Sequence, residues 1–247
     1  MIASSSACRE PLTLGEWTCG DVDGAVRLAE SDAGPISAPW STGFESRFCD
    51  YTTRGGFCYA DDEASYSVVS DPVHSGRHAA AFKITGDSQI GRQTRCVRQG
   101  MLPAAAYYGA WYLIPQPVAG SDLWNLWHFR GGDDTSQHGL WDISLVERSG
   151  TFELVVYDFL NARTHRAATP KPVPFGRWFH IELYLKRAND RTGEIALYQD
   201  GEKLIAATAL RTDDSSWGQW YVGNLAEGLT SPGSTLFVDD ITIRASR

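Results

Sequence analysis

Short stretches of alternating apolar and polar residues recur along this chain, and Gly, Pro, Asp or Ser residues bound each of them. Clear examples are 65–70, 79–84 and 140–147. A period of two is the pattern of a β-strand that buries one face, because successive side chains point to opposite sides of a sheet. No segment keeps a period of 3.6 residues over three helical turns. The pattern therefore predicts an all-β fold.

Tight-turn signals join neighbouring predicted strands. Arg148-Ser149-Gly150 is typical of a hairpin, and Asp200-Gly201 is a second turn of this kind. Many short strands with Gly and Asp turns predict a jelly-roll sandwich of two antiparallel sheets. The predicted strands are 65–70, 79–84, 107–114, 123–130, 140–147, 151–159, 178–186, 194–199, 203–207, 220–223 and 235–243.

The chain divides into an arm and one domain. Residues 1–40 are rich in Gly, Ser, Ala and Pro and show no sustained period, which predicts an irregular N-terminal arm or cover. Residues 41–247 contain no internal repeat and no composition break, so we expect a single β-jelly-roll domain there.

Charge and composition restrict the partners. The net charge is −8, from 22 Lys and Arg against 30 Asp and Glu. A negative balance disfavours a nucleic-acid partner but not an acidic sugar polymer, because local Arg clusters can override the total charge. Nine Trp residues indicate a surface that stacks on rings in addition to a core. No apolar run reaches the roughly 20 residues of a membrane span. We also expect the protein to be a monomer.

Five cysteines occupy positions 8, 19, 49, 58 and 96. The pairs 8/19 and 49/58 close short loops at little entropic cost, so we expect these two disulfides, although four half-cystines allow three connectivities. Cys96 is then left unpaired and buried in a strand. Disulfides predict a secreted, extracellular or periplasmic protein. Alternatively, Cys8 is the remnant of a lipoprotein cleavage site.

Six phrases stand in a fixed order along the chain. They are GFE at 43–45, DPVHSGRHAA at 71–80, YYGAWYLIP at 107–115, FGRWFH at 175–180, GEIALYQDG at 193–201 and LFVDDI at 236–241. Together they resemble the concanavalin A-like lectin/glucanase superfamily, and within it most closely polysaccharide lyases of the heparin lyase I type and their non-catalytic relatives. The resemblance implies a concanavalin A-like jelly roll with a carbohydrate groove on its concave sheet.

The resemblance also implies a structural Ca²⁺ site that joins the first and last strands. Calcium prefers six to eight oxygen ligands. The matching positions are Glu45, the backbone from Ser75 to Arg77, and Asp239 or Asp240. Only one of the two neighbouring aspartates can face inward from a regular strand. The alternative is a solvated acidic pair at a strand edge.

Lyase chemistry requires a cation for the uronate carboxylate, a base and an acid. In the related lyases these come from an Arg-x-Glu strand, a Gln-x-His strand and a Tyr after Gly-Asn. Here 92–94 keeps the Arg, 126–128 keeps the His but not the amide, and 223–225 keeps Gly-Asn but not the Tyr. The candidate catalytic residues are therefore Arg92, His128 and a substitute phenol from Tyr157, Tyr198 or Tyr221, of which we take Tyr198. Alternatively, Arg92 pairs with surface carboxylates and His128 packs beneath Trp124.

A retaining glycoside hydrolase is disfavoured. That mechanism needs two carboxylates on one strand, in the pattern Glu-x-Asp-x-x-Glu. The nearest stretch is 141–147, which lacks the first Glu and places Asp142 and Glu147 on opposite faces.

An aromatic and basic platform is predicted from the period of two. Trp124, His128 and Arg130 share one face of a single predicted strand. Sugars stack on aromatic rings, and Arg forks bind carboxylate or sulfate. The alternative is that the tryptophans fill the core. The predicted ligand-binding residues are Trp111, Trp124, Trp127, Arg95, Arg130 and Tyr157.

The sequence thus predicts a secreted protein that binds a polysaccharide or oligosaccharide, of acidic type, in a concave groove. One alternative is a polysaccharide lyase that cleaves a uronate polymer by β-elimination. The other is a surface or adhesion module without a free sugar ligand.

Overall fold

The computed structural model describes residues 38–52, 56–85, 91–118, 123–132, 138–213, 217–228 and 233–247. The predicted arm lies outside these residues except for its last three positions, and so do Cys8 and Cys19. The described part of the chain contains no helix with the length and hydropathy that a membrane crossing requires.

The protein is an all-β sandwich with one helix of four residues in the part that the structure describes, which confirms the predicted fold class. The elements in chain order are β1 Trp40–Thr42, α1 Cys49–Thr52, β2 Phe57–Ala60, β3 Ala64–Val69, β4 Ala79–Ile84, β5 Arg92–Gly100, β6 Ala105–Leu113, β7 Leu123–Gly131, β8 His138–Arg148, β9 Thr151–Asp158, β10 Arg163–His165, β11 Trp178–Lys186, β12 Gly193–Gln199, β13 Glu202–Leu210, β14 Gly218–Glu227 and β15 Ser234–Arg244.

Two antiparallel sheets form the sandwich. The eight-stranded sheet has the order β13-β12-β11-β6-β15-β4-β3, and β1 also pairs with β15. The seven-stranded sheet has the order β10-β9-β8-β7-β14-β5-β2. β14 lies between β7 and β5, so these two strands are not direct neighbours.

Large aromatic side chains fill the space between the sheets. Trp127 is fully buried and its Nε1 donates to the Tyr112 hydroxyl at 3.0 Å. Trp141 is also fully buried, and its Nε1 donates to the Thr212 carbonyl at 2.7 Å. These two buried indole N–H groups thus keep a partner, which lowers the cost of burying them. The high tryptophan content is explained mainly by the core.

Two β-bulges interrupt the period of two in the middle of the seven-stranded sheet. The β7–β8 register shifts between Asn125 and Trp127, so Leu126 and Trp127 both face the core. The register shifts again between Phe129 and Arg130 of β7. Here the extra residue is in β8, so Leu140 and Trp141 both face the core. A bulge adds one residue to one strand and so re-aims the side chains that follow it.

The bulges place residues three apart on the same outer face. Asn125 and His128 of β7 both point out of the sandwich, and so do Gly139 and Asp142 of β8. Without the extra residue, a separation of three would put each pair on opposite faces. This local irregularity positions the site described below.

The disulfide pairing differs from the prediction. Cys58 of β2 is bonded to Cys96 of β5, directly opposite it in the sheet. The predicted 49/58 pair and the predicted unpaired Cys96 are therefore wrong, because strand pairing brings residues 38 positions apart together. Cys49 is also disulfide-bonded.

The Cys58–Cys96 bond ties a four-residue edge strand to the seven-stranded sheet. We expect the double variant Cys58→Ser/Cys96→Ser to lose ~2–4 kcal/mol of unfolding free energy, since an unfolded chain without the cross-link gains entropy. Denaturant unfolding monitored by Trp fluorescence measures this. An unchanged midpoint would contradict a stabilising role.

Candidate functional site

A groove lies on the outer face of the seven-stranded sheet and encloses about 220 Å³. Strands β2, β5, β7, β8 and β14 line it. Polar and aromatic side chains predominate among the lining residues, which are Tyr59, Gln93, Arg95, Leu123, Asn125, His128, Arg130, Asp142, Tyr221 and Leu225.

Arg95 forms the floor at one end of the groove. It is 3% exposed, and its guanidinium Nη2 donates to Asn125 Oδ1 at 2.5 Å. The guanidinium carbon lies 5.7 Å from the centre of the Tyr221 ring. Burial lowers the pKa of Arg95, which reflects the cost of holding a cation away from water. Among the described residues no carboxylate forms an ion pair with it, so this cation is available to an anionic ligand.

Asn125 is held in place on both sides of its amide. Its Nδ2 donates to the Trp127 carbonyl at 2.8 Å and to Ser144 Oγ at 3.3 Å. These bonds assign the Oδ1 atom to Arg95 and fix the orientation of the amide. Asn125 thus fixes the position of the Arg95 guanidinium, a cation suited to a carboxylate ligand.

His128 and Asp142 form a dyad in the centre of the groove. The Nδ1 atom of His128 lies 2.5 Å from Asp142 Oδ1, and both side chains are largely buried. The carboxylate favours a proton on Nδ1, which leaves Nε2 as an acceptor. Burial lowers the pKa of His128 below its ordinary 6.5, and the hydrogen bond and charge of Asp142 oppose that shift only in part. The imidazole is therefore neutral at pH 7.

Tyr221 of β14 lies between Arg95 of β5 and His128 of β7. Its ring packs edge-on to His128, with 5.4 Å between the ring centres. Its hydroxyl donates to Gln219 Oε1 at 2.5 Å and accepts from Arg130 Nη1 at 3.4 Å. The phenol hydroxyl is therefore held in the groove by one acceptor and one donor.

The groove is locally cationic in a protein of net charge −8. Arg95 and Arg130 line it without a carboxylate ion-pair partner in the described part of the chain, and Asp142 is already paired with His128. A cleft with one sign of charge concentrates ligands of the opposite sign. The arrangement favours an anionic ligand.

The structure brings together four of the predicted residues. His128, Arg95 and Arg130 line the groove, and Tyr157 of β9 lies directly opposite Asp142 on the same face. Their roles in binding or catalysis stay predictions.

Five other predicted residues lie elsewhere. Arg92 points to the opposite face of β5 from Arg95 and pairs with Glu63 at 3.4 Å, so it is wrong as a partner of His128. Tyr198 lies on β12 of the other sheet, where Arg247 covers its ring at 4.0 Å. Trp124 and Trp127 are core residues, and Trp111 lies on the eight-stranded sheet beneath the His74 ring. The platform prediction failed because the β7 bulge moves Trp124 to the core side.

Sequence reasoning missed Asn125 and Asp142 and ranked Tyr221 only as an alternative. The amide was sought at position 126, two residues before His128. The bulge places it three residues before His128, and no turn residue or glycine marks that bulge in the sequence.

The predicted calcium ligands also meet in space. The buried carboxylate of Asp239 accepts from the backbone N–H groups of His74 at 2.9 Å and Ser75 at 3.2 Å. Asp240 contacts Ser75 Oγ at 2.9 Å and His74 Nδ1 at 2.6 Å. Burial raises the pKa of Asp239, since fewer water molecules solvate its charge.

Glu45 contacts the same turn as the two aspartates, a few residues further along the chain. Its Oε1 accepts from the backbone N–H groups of Arg77 at 2.6 Å and His78 at 3.1 Å. Backbone amides thus satisfy the carboxylates, and no three Asp, Glu, His or Cys side chains of the described residues have the spacing of metal ligands. A calcium ion would have to displace these donors, so calcium at this cluster stays a prediction.

Chelation tests that prediction. If Ca²⁺ binds the native cluster, millimolar calcium should raise the melting temperature and EDTA should lower it, because a ligand of the native state adds stability by mass action. The variant Asp239→Asn should lose this sensitivity. A wild-type melting curve that is the same in EDTA and in calcium would contradict the site.

Comparison with protein-family models and with curated proteins finds no match for the sequence. Solved structures with a similar fold include the endo-β-1,4-glucuronan lyase of the fungus Trichoderma reesei, at 18% identity and a TM-score of 0.60, covering 77% of this chain and 90% of that one. The alginate lyase of Aplysia kurodai has 13% identity and a TM-score of 0.55, covering 83% and 97%. The globular domain of T. cruzi calreticulin has 9% identity and a TM-score of 0.56, covering 84% and 88%. These likenesses establish a β-sandwich fold that polysaccharide lyases share.

Proposed function

We propose that this protein is a secreted polysaccharide lyase that cleaves a uronate-containing polymer by β-elimination. The observation that carries the proposal is the grouping of Arg95–Asn125, His128–Asp142 and Tyr221 in one cationic groove. These are the three functions that the reaction needs: a carboxylate neutraliser, a base and an acid. The glucuronan and alginate lyases of similar fold support the substrate class, and the resemblance to heparin lyase I type enzymes points the same way.

We assign a role in the reaction to each group in the groove. Arg95, held in place by Asn125, binds the uronate carboxylate and so acidifies the C5 proton. His128 takes that proton on Nε2, and the electron pair forms the C4–C5 double bond as the C4–O bond breaks. Tyr221 protonates the leaving oxygen, and its phenolate recovers a proton from the His128 imidazolium through water. Arg130 stabilises the phenolate in the interval.

Absorbance near 235 nm after mixing with glucuronan or alginate tests the reaction, since β-elimination creates a conjugated double bond. We expect wild-type activity, and a loss of about a hundredfold or more in turnover for His128→Ala and Tyr221→Phe, because each removes a proton-transfer group. The matched control is Tyr198→Phe, which removes a phenol from the opposite sheet and should retain full activity.

Binding without cleavage is the competing outcome. The fold also occurs in a calreticulin domain, so the sandwich alone does not decide between an enzyme and a binding protein. Affinity electrophoresis in gels containing the same polymers measures binding directly. If the wild-type protein migrates more slowly in these gels but produces no absorbance at 235 nm, it is a carbohydrate-binding protein that uses the Arg95 groove. Neither retardation nor cleavage would leave the adhesion-module alternative.

The pH profile tests the His128–Asp142 dyad. Because the pKa of His128 is lowered, its neutral, basic form persists below pH 6.5. The acidic limb of the kcat/KM profile should therefore lie below pH 6.5. Asp142 raises the pKa, so Asp142→Asn should move the acidic limb to still lower pH. It should also lower kcat, since an amide can favour the wrong tautomer. An acidic limb that does not move would show that another group is the base.

A further inference from the structure

Phe159 is a large, solvent-exposed apolar side chain beside the groove. It follows β9 directly and is 41% exposed. Its ring packs edge-on to Tyr157 at 4.7 Å and to His128 at 5.8 Å between ring centres. A core role does not explain it, because its surface is open to solvent. An exposed aromatic ring next to a binding groove is a candidate contact for the ligand.

Gly139 holds this ring flat against the sheet. A Cβ atom at position 139 would lie 3.0–3.1 Å from three atoms of the Phe159 ring, namely Cγ, Cδ2 and Cε2. Three near-equal distances mean that one face of the ring lies over the glycine. The exposed 41% of the side chain therefore belongs to the part of the ring that the sheet does not cover. A flat ring that is partly open to solvent suits the C–H face of a sugar.

Arg130 is on the strand next to the one that this ring covers. Gly139 of β8, over which the Phe159 ring lies, is the strand partner of Arg130 of β7. Arg130 contacts the Tyr221 hydroxyl and pairs with no carboxylate in the described ranges. The strand order β9-β8-β7-β14-β5 places Phe159 on the opposite side of His128 from Arg95, and Arg130 lies two residues further along β7 than His128.

We propose that Phe159 and Arg130 form a second sugar subsite, adjacent to the one at Arg95. This subsite takes an acidic sugar residue whose ring stacks on Phe159 and whose anionic group binds Arg130. The polymer then runs across the strands from β5 to β9 and places at least two acidic residues in the groove. The inference rests on the proposed function for the direction of the polymer but not on cleavage itself.

The test compares variants on glucuronan and on alginate. Phe159→Ala should raise KM by about three- to tenfold, the range for one lost aromatic contact. Phe159→Trp should restore the wild-type KM, because it supplies another flat ring. The matched control is Tyr184→Ala, which removes half of a similar aromatic pair, Tyr107–Tyr184, on the other sheet and should leave KM unchanged.

A role limited to supporting His128 would give a different result. In that case Phe159→Ala would lower kcat and shift the acidic limb of the pH profile, while KM stayed at the wild-type value. That outcome, or wild-type kinetics throughout, would overturn the subsite. A higher KM with an unshifted acidic limb supports it.

Affinity electrophoresis separates this inference from the proposed function. If the wild type binds but does not cleave either polymer, the lyase proposal fails. A dissociation constant raised about three- to tenfold in Phe159→Ala would still support the subsite. Equal affinity of this variant and the wild type would reject the subsite even in an active enzyme.

Discussion

The two bulges in β7 and β8 are the constraint on which the site depends. Each lets a strand bury two consecutive apolar residues, Leu126-Trp127 in one and Leu140-Trp141 in the other. Regular alternation would turn one member of each pair into the groove. Complete burial of both large side chains favours the bulged register by roughly 1.5–3 kcal/mol per side chain. The core thereby determines which polar residues face outward, and His128 meets Asp142 as a consequence.

The groove concentrates charge in a place where burial makes charge expensive. Arg95 is almost fully buried, and a lone buried cation would be unfavourable. A hydrogen bond to Asn125 and the face of Tyr221 offset part of this cost without neutralising the charge. A protein optimised only for stability would place a carboxylate there. The remaining positive potential is the physical reason to assign an anionic ligand to this groove.

Much of the fold follows from the sequence, because period-two patterns and turn residues are local signals. The segments 79–84 and 178–186 coincide with β4 and β11. The site followed only in part. His128 and Arg95 carry recognisable chemistry, whereas Asn125 depends on a bulge that the core imposes through contacts distant in sequence. Arg92 and Arg95 differ only in which face of β5 they occupy, and the cysteine pairing depends on which strands are neighbours.

The central claim is that this groove breaks a sugar chain by elimination, and the mass of the products tests it most directly. Glucuronan oligosaccharides of defined length would be incubated with the protein, and all fragments weighed by mass spectrometry. Elimination conserves mass, so the two fragments of each cleavage should sum to the parent, with one fragment a water lighter than an intact oligosaccharide. Fragments that together exceed the parent by one water would show hydrolysis instead and would contradict the account.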